Sequence, residues 1–454
     1  MRALRYLFLT ALAMTCAGCG VGGPAEPPLP NVLLISLDTT RADRLGCYGY
    51  ERNTSPNIDK LAAQSTRYTR AYTTAPWTLP THTSIFTGRF PTEHGMRHYK
   101  TEDGTVAYPK VPEDLPTLGV MFRELGYDTA AYVTNQAFLN PEFGILRGFE
   151  YTRCNWMPGE QIVNLAKRWL ARERDRPFML FMNFMDAHYP YNVTPVEGLL
   201  PEPPDQNVDL LGDLTNQVMG TSDPIDEVLR NKVIDQYDTG LANQDRALGR
   251  IFDYLRESGQ FDNTLIIVTS DHGELFGEFR LVAHDKALYE PLMKAVMLVC
   301  EPGQTDGGVS ETLLSSVDIP AIILDQLPEA LAAPYRERFP YAPGNHPITG
   351  EWNSTVEHDL RNPVWGARFN GSANMWIEWP WKLIYAPGDL YELYHLEEDP
   401  GELQNRYEDE QERAHTMAAA MKAWREPRLR DLSDVAMPSL SPEDRDAMQA
   451  LGYL

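Results

Sequence analysis

Residues 31–38 are Asn31-Val32-Leu33-Leu34-Ile35-Ser36-Leu37-Asp38, a nearly continuous apolar run that ends in a carboxylate. A strand with one solvated face alternates apolar and polar residues, so an unbroken run predicts a strand that is buried on both faces. Strands of this kind form parallel sheets with helices on both sides. The stretch therefore predicts an α/β fold with Asp38 at the carboxyl end of a central strand, where such sheets bind their ligands.

Strand and helix patterns alternate after this run, as a mainly parallel sheet requires. Residues 190–225 are rich in Pro and Asp and have weak periodicity, so we predict a long surface excursion of the kind that forms lids. Apolar spacing predicts strands at 129–133, 178–183, 264–269 and 295–299, and helices at 58–65, 118–124, 161–174 and 226–257.

The chain has 454 residues, which is too many for one small core. We predict a large catalytic α/β domain over residues 31–335 and a smaller C-terminal subdomain over residues 336–454, where the sequence pattern changes. Within the subdomain, residues 375–385 predict an antiparallel hairpin and residues 409–424 predict a helical tail.

The N-terminus has the features of an export signal. Two arginines precede an apolar run at 6–16 that is too short to span a bilayer. The run ends at Cys16-Ala17-Gly18-Cys19, which resembles a bacterial lipoprotein cleavage box. We therefore predict a signal peptide over residues 1–19, a Gly- and Pro-rich tether over 20–30, and a protein anchored in the cell envelope, periplasmic or outer-membrane, through lipidated Cys19. Cleavage without lipidation is the alternative.

The formal net charge of −24 argues against a nucleic-acid partner, since binding phosphates requires a basic face. The same charge would repel an anionic small-molecule substrate. A site for such a substrate must therefore carry its own positive charge, and a bound metal ion would supply it.

Acidic residues follow two of the predicted buried strands. Asp38 ends the first, and Asp271 and His272 follow the strand at 264–269. Two carboxylates and an imidazole at one sheet edge suit a divalent cation. The nitrogen ligand favours manganese or zinc, and calcium and magnesium stay possible. The alternative is structural, because Asp after a strand often forms a turn or caps a helix.

Residues 75–89 contain two prolines and several threonines before a glycine. A helix is predicted to begin at Thr81 with its hydroxyl as the cap, which aims backbone N–H groups at whatever precedes it. Thr78 lies at that point and is a candidate to face an anionic substrate. The alternative is a cluster of capping threonines.

Four stretches, at 31–49, 78–89, 270–274 and 392–402, together resemble the sulfatase family of the alkaline-phosphatase superfamily, in the family's order. The resemblance covers residues 31 to 410. It implies an alkaline-phosphatase-like fold and hydrolysis of an anionic ester.

The resemblance also implies roles for individual residues. Asp38 and Asp271 match the aspartates that bind the metal, and His272 stands where many sulfatases have Asn. The catalytic matches are Thr78 at the nucleophile position, His188 near the leaving group, and His284 and Lys286 in the cationic segment that contacts the oxyanion.

The sequence also departs from the family. Most sulfatases mature a Cys or Ser to formylglycine, and Thr78 cannot follow that route because its methyl group would leave a ketone. Thr39 replaces the second acid of a paired aspartate motif, Asn135 falls near the place of a lysine, and His82 replaces an arginine that supports the nucleophile turn. Threonine favours a phosphorus ester and the overall resemblance favours a sulfate ester, so both stay open.

The sequence thus predicts a metal-dependent hydrolase that cleaves a sulfate, phosphate or phosphonate ester through Thr78. The ester would belong to a small molecule, a glycan or a lipid headgroup. A second metal bound by Asp186, His188 and His284 is a minor alternative. The other function classes are a non-catalytic protein that binds a glycan or headgroup, and a transferase of phospho-headgroups.

Overall fold

The computed structural model describes residues 28–100, 106–191, 194–200, 208–220, 223–353, 372–386, 388–432 and 436–450. The predicted signal peptide, Cys19 and most of the predicted tether lie outside these residues. Within them, no helix combines the length and the apolarity that crossing a bilayer would require.

An eight-stranded sheet forms the centre of the molecule, in the order β8-β2-β7-β6-β1-β5-β3-β4. Only β7 runs antiparallel to its neighbours in this sheet, so the predicted mainly parallel sheet is confirmed. The strands are β1 Asn31–Leu37, β2 Thr66–Tyr72, β3 Asp128–Val133, β4 Tyr151–Cys154, β5 Phe178–Phe184, β6 Thr264–Ser270, β7 Met297–Cys300 and β8 Gly308–Ser315.

Helices cover both faces of this sheet. On β1, Val32 and Leu34 contact one hydrophobic core and Leu33, Ile35 and Leu37 contact the other, as the apolar run predicts. The helices are α1 Pro56–Ala62, α2 Thr78–Thr87, α3 Pro91–His94, α4 Leu118–Glu124, α5 Gly159–Leu170, α6 Leu210–Gly220, α7 Glu227–Glu257, α8 Glu290–Met293, α9 Ile319–Leu324 and α10 Glu329–Arg336. Residues of α2, α4 and α9 build the first core, and residues of α1, α5 and α7 build the second.

Two local predictions were wrong. Helix α2 begins at Thr78 and not at Thr81, because Pro80 falls in the first turn, where a missing N–H costs no hydrogen bond. The region at 190–225 contains helix α6, whose apolar side chains pack against α7 around Tyr237. The apolar pattern of α6 is short and lies between Pro- and Asp-rich segments, so the sequence did not predict the helix.

A four-stranded antiparallel sheet forms the C-terminal subdomain, in the order β9-β10-β11-β12. Its elements are β9 Ile348–Asn353, β10 Ser372–Glu378, β11 Trp381–Ala386, β12 Leu390–His395, α11 Gln411–Arg425 and α12 Pro442–Ala450. The central pair of strands confirms the predicted hairpin, and α11 on one face of the sheet confirms the predicted helical tail.

A buried ion cluster joins this subdomain to the α/β domain. The fully buried Lys382 on β11 lies 3.0 Å from Glu290 Oε1 and 2.8 Å from Glu402 Oε1 through its Nζ. Burial, together with the Glu290 carboxylate, raises the pKa of Glu402 to about 7 despite the lysine. Because Glu290 begins α8, the cluster fixes the chain segment that precedes α8 against the C-terminal sheet.

We expect Lys382→Met to lower the free energy of unfolding by about 3–5 kcal/mol, since it leaves two buried carboxylates without their cation. Urea unfolding measures this change. The exposed Lys60→Met is the matched control and should change stability by less than about 0.5 kcal/mol. Equal effects of the two substitutions would contradict a stabilising role for the cluster.

Candidate metal centre and active site

Polar residues follow four neighbouring strands at the carboxyl edge of the large sheet. Strands β6, β1, β5 and β3 lie side by side in that order. They lead into Asp271, Asp38, His188 and Asn135 respectively. Parallel strands end at the same edge, so the topology brings together residues that are far apart in sequence.

Asp38, Asp271 and His272 form a group suited to a metal ion, with one ligand atom from each lying within 4.8 Å of the others. All three side chains are fully buried. Asp38 Oδ1 and Asp271 Oδ2 have no hydrogen-bond partner among the described residues. Buried carboxylate oxygens are normally paired, so this pair of bare oxygens fits a cation.

The other oxygen of each carboxylate is held by a donor. Asp38 Oδ2 accepts a hydrogen bond from Asn135 Nδ2 at 2.8 Å. Asp271 Oδ1 accepts from the backbone N–H groups of Thr39, at 3.2 Å, and His272, at 2.9 Å. These contacts fix both carboxylates with their bare oxygens in the group.

His272 presents a lone pair to the same point. Its Nδ1 lies 3.0 Å from the Gly273 carbonyl oxygen and donates to it, so Nε2 is the unprotonated nitrogen. That Nε2 lies 3.4 Å from Asp271 Oδ2 and 3.9 Å from Asp38 Oδ1. Burial, then the neighbouring His284, lowers the pKa of His272 to about 3, which keeps the ring neutral as a ligand must be.

The two aspartates differ in their electrostatics. Burial and the Asp38 carboxylate raise the pKa of Asp271 well above its usual value. Burial also opposes ionisation of Asp38, but His188 and His272 outweigh it and hold the pKa of Asp38 below its usual value. A divalent cation would relieve the repulsion between the carboxylates, and one nitrogen with two carboxylate ligands fits manganese or zinc.

Thr78 lies beside this group at the first position of α2. Its Oγ1 is 3.5 Å from His272 Nε2 and accepts a hydrogen bond from Asn135 Nδ2 at 3.3 Å. Asn135 therefore connects Thr78 to Asp38. Sequence reasoning noted Asn135 only as the place of a missing lysine, although its position directly after a buried strand was the available signal.

Two further residues, His82 and Thr39, hold Thr78 and Asp271 in position. His82 Nδ1 donates to the Thr78 carbonyl at 3.0 Å, and its Nε2 lies 2.8 Å from Ser36 Oγ. Thr39 has a left-handed backbone with φ of 54°, and its hydroxyl lies 2.8 Å from the Ala187 carbonyl. Thr39 thus contributes a backbone donor to Asp271 while its side chain ties the end of β1 to the end of β5.

The alternative second metal set does not form in the part of the chain that the structure describes, where three potential ligands converge only in the group above. Both oxygens of Asp186 lie 3.1 Å from the backbone nitrogen of Gly159 at the start of α5. Asp186 therefore caps a helix, because a carboxylate is favourable at a helix N-terminus. His188 and His284 still adjoin one another, with ring centroids 5.1 Å apart.

His284 and Lys286, the residues predicted to form a cationic segment, each lie beside an acidic side chain. The His284 ring lies 4.6 Å from the His272 ring, and its Nδ1 is 3.1 Å from Glu274 Oε1. Burial opposes the charged form, but Glu274 overcomes it and raises the pKa of His284. The Lys286 ammonium lies 3.1 Å from Asp285 Oδ1 and donates to the His284 carbonyl, so its charge is already paired next to the site.

A family model described as "Sulfatase" matches residues 30–329, well over half of the chain. The chain is 23% identical to the uncharacterized sulfatase YidJ of Escherichia coli (strain K12), with 84% of this chain and 83% of that protein covered. It is 22% identical to the Delta 4,5-hexuronate-2-O-sulfatase of Bacteroides thetaiotaomicron (87% and 88% covered) and 24% identical to the choline-sulfatase of Rhizobium meliloti (88% and 86% covered).

Solved structures share the fold. A phosphonate monoester hydrolase of Agrobacterium radiobacter superposes with a TM-score of 0.64 at 19% identity, covering 88% of this chain and 96% of that one. A 2-O GAG sulfatase gives a TM-score of 0.66 at 18% identity, covering 92% and 96%. The predicted alkaline-phosphatase-like fold is thus confirmed, and the family model confirms the resemblance stated from the sequence motifs. The chain belongs to the sulfatase family of the alkaline-phosphatase superfamily.

Proposed function

We propose that this chain is a metal-dependent ester hydrolase in which the Thr78 hydroxyl attacks the sulfur or phosphorus of an anionic ester. The supporting observation is the contact between the nucleophile and the metal group: Thr78 Oγ1 lies 3.5 Å from His272 Nε2. A threonine that served only to cap a helix would need no such neighbours. The family supports the same reaction class, since its relatives are named for sulfate esters and a structural neighbour for phosphonate monoesters.

The residues around Thr78 prepare it for attack. A divalent cation held by Asp38, Asp271 and His272 would favour the alkoxide form of the hydroxyl and offset the charge that develops on the ester oxygens. Asn135 donates to the Thr78 oxygen and keeps it beside the metal group. His82 holds the Thr78 carbonyl, which fixes the first turn of α2.

The reaction has two steps. Thr78 attacks as the alkoxide after its proton has passed to solvent: a bond forms between Thr78 Oγ1 and the central atom of the ester, the bond to the leaving alkoxide breaks, and the His188 imidazolium gives that alkoxide its proton. Burial lowers the pKa of His188, but an anionic ester beside the ring favours its imidazolium form. Water then attacks the central atom and gives a proton to the now neutral His188, the bond to Thr78 Oγ1 breaks, and the Thr78 alkoxide and the His188 imidazolium are restored.

The second step favours phosphorus over sulfur. A formylglycine hydrate carries two hydroxyl groups, and the second expels sulfate by restoring the aldehyde. Thr78 has one hydroxyl, so its ester must be opened by water at the central atom. A phosphate ester of threonine can be opened in this way next to a metal ion, so we propose phosphate or phosphonate esters as the better substrates.

In this proposal, His284 and Lys286 donate hydrogen bonds to the ester oxygens. The metal ion would supply the net positive charge, because Glu274 and Asp285 already pair with the two side chains. The negative oxygens of the ester need local positive charge, because the net charge of −24 repels them at long range. We also propose that the enzyme works in the cell envelope, anchored by lipid on Cys19, as the N-terminal sequence predicts. The ester's organic part is then a small molecule, glycan or lipid headgroup.

We expect metal removal to lower the thermal unfolding midpoint and re-addition of manganese or zinc to restore it. At a metal concentration 100 times its Kd, the gain is about 2.7 kcal/mol. Asp271→Asn should abolish the metal-dependent shift. Asp186→Asn is the control: it keeps an acceptor for the Gly159 N–H at the start of α5, loses only the negative charge there, and should keep the full metal response. An unchanged shift in Asp271→Asn would rule out this metal group.

We expect Thr78→Ala to lose at least ~10³-fold in turnover while its metal-dependent stabilisation stays intact. Thr78→Ser keeps the hydroxyl and should keep most activity. The assay uses chromogenic sulfate, phosphate monoester, phosphodiester and phosphonate substrates with metal-stripped and metal-restored protein. A buried threonine of the same helix gives the control Thr83→Ser, which should behave as the parent.

The results with these four substrates distinguish a phosphorus-ester hydrolase, a sulfate-ester hydrolase and a non-catalytic binding protein. Turnover of phosphorus esters above sulfate esters supports the threonine chemistry, and the reverse order contradicts it. Inactivity on all four substrates with confirmed metal loading would favour the non-catalytic binding protein. Equal activity of Thr78→Ala and the parent would eliminate Thr78 as the nucleophile.

A further inference from the structure

A short hairpin after the metal group brings Glu274 and His284 together. Its ladder pairs Phe276 with Val282 and Leu275 with Ala283, so Glu274 and His284 are next in register. Glu274 Oε1 lies 3.1 Å from His284 Nδ1. The two residues are ten positions apart in the chain, and the hairpin places them opposite each other in direct contact.

The Glu274 carboxylate is costly to bury. Its side chain has no exposure, and its Oε2 has no hydrogen-bond partner among the described residues. A buried carboxylate that lacks donors costs free energy that an apolar residue of similar size would not. Stability alone therefore does not explain Glu274, and its contact with His284 is the feature that uses its acceptor oxygen.

The contact determines which nitrogen of His284 faces the site. A carboxylate accepts a hydrogen bond, so the Nδ1 atom carries a proton and the ring is fixed about its Cβ–Cγ bond. The fixed ring packs 4.6 Å from the His272 ring and 5.1 Å from the His188 ring, measured between centroids.

Arg41 holds the hairpin in place. One of its terminal nitrogens donates to the Glu274 carbonyl at 2.9 Å and to Glu278 Oε1 at 2.8 Å. The other side of the guanidinium donates to Asp43 in two bonds of 2.9 and 2.7 Å. Arg41 follows closely after Asp38 in the chain, so this fork ties the hairpin to the turn that carries the metal group.

We propose that Glu274 is a positioning residue that fixes the orientation of His284 toward the ester oxyanion, in a hairpin that Arg41 holds against the turn after Asp38. The proposal rests on the proposed function and adds a residue that the sequence motifs assign no role. Glu274 is not a member of the group Asp38, Asp271 and His272. Its effect on turnover passes through the His284 ring.

The kinetic test compares Glu274→Met, which keeps the size and removes the acceptor, with Glu274→Gln, which keeps an acceptor oxygen. Glu274→Met should lower kcat by about 10- to 100-fold with KM nearly unchanged, and Glu274→Gln should recover most of that loss. In a His284→Gln background, Glu274→Met should change kcat by less than about twofold, because its target is gone. The exposed Glu311→Gln is the control and should match the parent.

Two kinetic results would overturn the proposal. One is that Glu274→Met lowers kcat by the same factor with and without His284. The other is that Glu274→Gln is as impaired as Glu274→Met. Thermal unfolding of each variant with and without manganese identifies any variant that fails to fold. If Glu274→Met fails to fold, Glu274→Gln is compared with the parent instead.

A second measurement does not depend on turnover. Proton NMR of the zinc-loaded protein, whose metal is diamagnetic, should contain a hydrogen-bonded imidazole N–H resonance that His284→Gln removes. This resonance should disappear in Glu274→Met and persist, shifted, in Glu274→Gln. Its persistence unchanged in Glu274→Met would overturn the positioning role even if the parent hydrolyses nothing, so failure of the proposed function and failure of this proposal are told apart.

Discussion

The groups at the carboxyl edge of the sheet are arranged around the repulsion between two buried carboxylates. Asp38 and Asp271 follow adjacent parallel strands, and their ligand oxygens lie within 4.8 Å of each other. Two unit charges at that separation repel by roughly 3–4 kcal/mol even at an effective dielectric constant near 20. The surrounding groups are arranged to tolerate this charge: His272 is a neutral ring, and Asn135 and the Thr39 N–H group donate to the outer oxygens.

The sequence predicted those parts of the fold that depend on strong local patterns. The apolar runs before Asp38 and Asp271 form strands that are buried on both faces. Such strands lie in the middle of a sheet, as these two do. Strand β2 was missed because its residues, Thr66–Tyr72, are mostly polar and only half-buried near the end of the sheet. Its partner β8 is largely exposed and has no apolar run either.

The sequence predicted only those site residues whose position follows from the parallel direction of the strands. Asp38, Asp271 and His272 follow strands that had to end at one edge, and so they were found. Asp186 and His188 lie close together in the chain, yet Asp186 turns back to cap α5 while His188 packs against His284. Asn135 and Glu274 gain their roles from tertiary contacts with Thr78 and His284, which neither spacing nor residue type alone indicates.

Two departures from the family pattern compensate each other. Thr39 stands in place of a second acid, which removes one negative charge, and Asn135 stands near the place of a lysine, which removes one positive charge. These two losses offset each other, whereas His82, a buried histidine whose pKa is lowered by burial, replaces an arginine and removes a further positive charge. Each replacement also makes a neutral contact of its own, since Asn135 donates to Asp38 and Thr78, and the Thr39 hydroxyl ties the turn after β1 to the Ala187 carbonyl. Changing either residue back alone would add a charge beside Asp38 and Asp271, the carboxylates that Asn135 and the Thr39 N–H group contact directly.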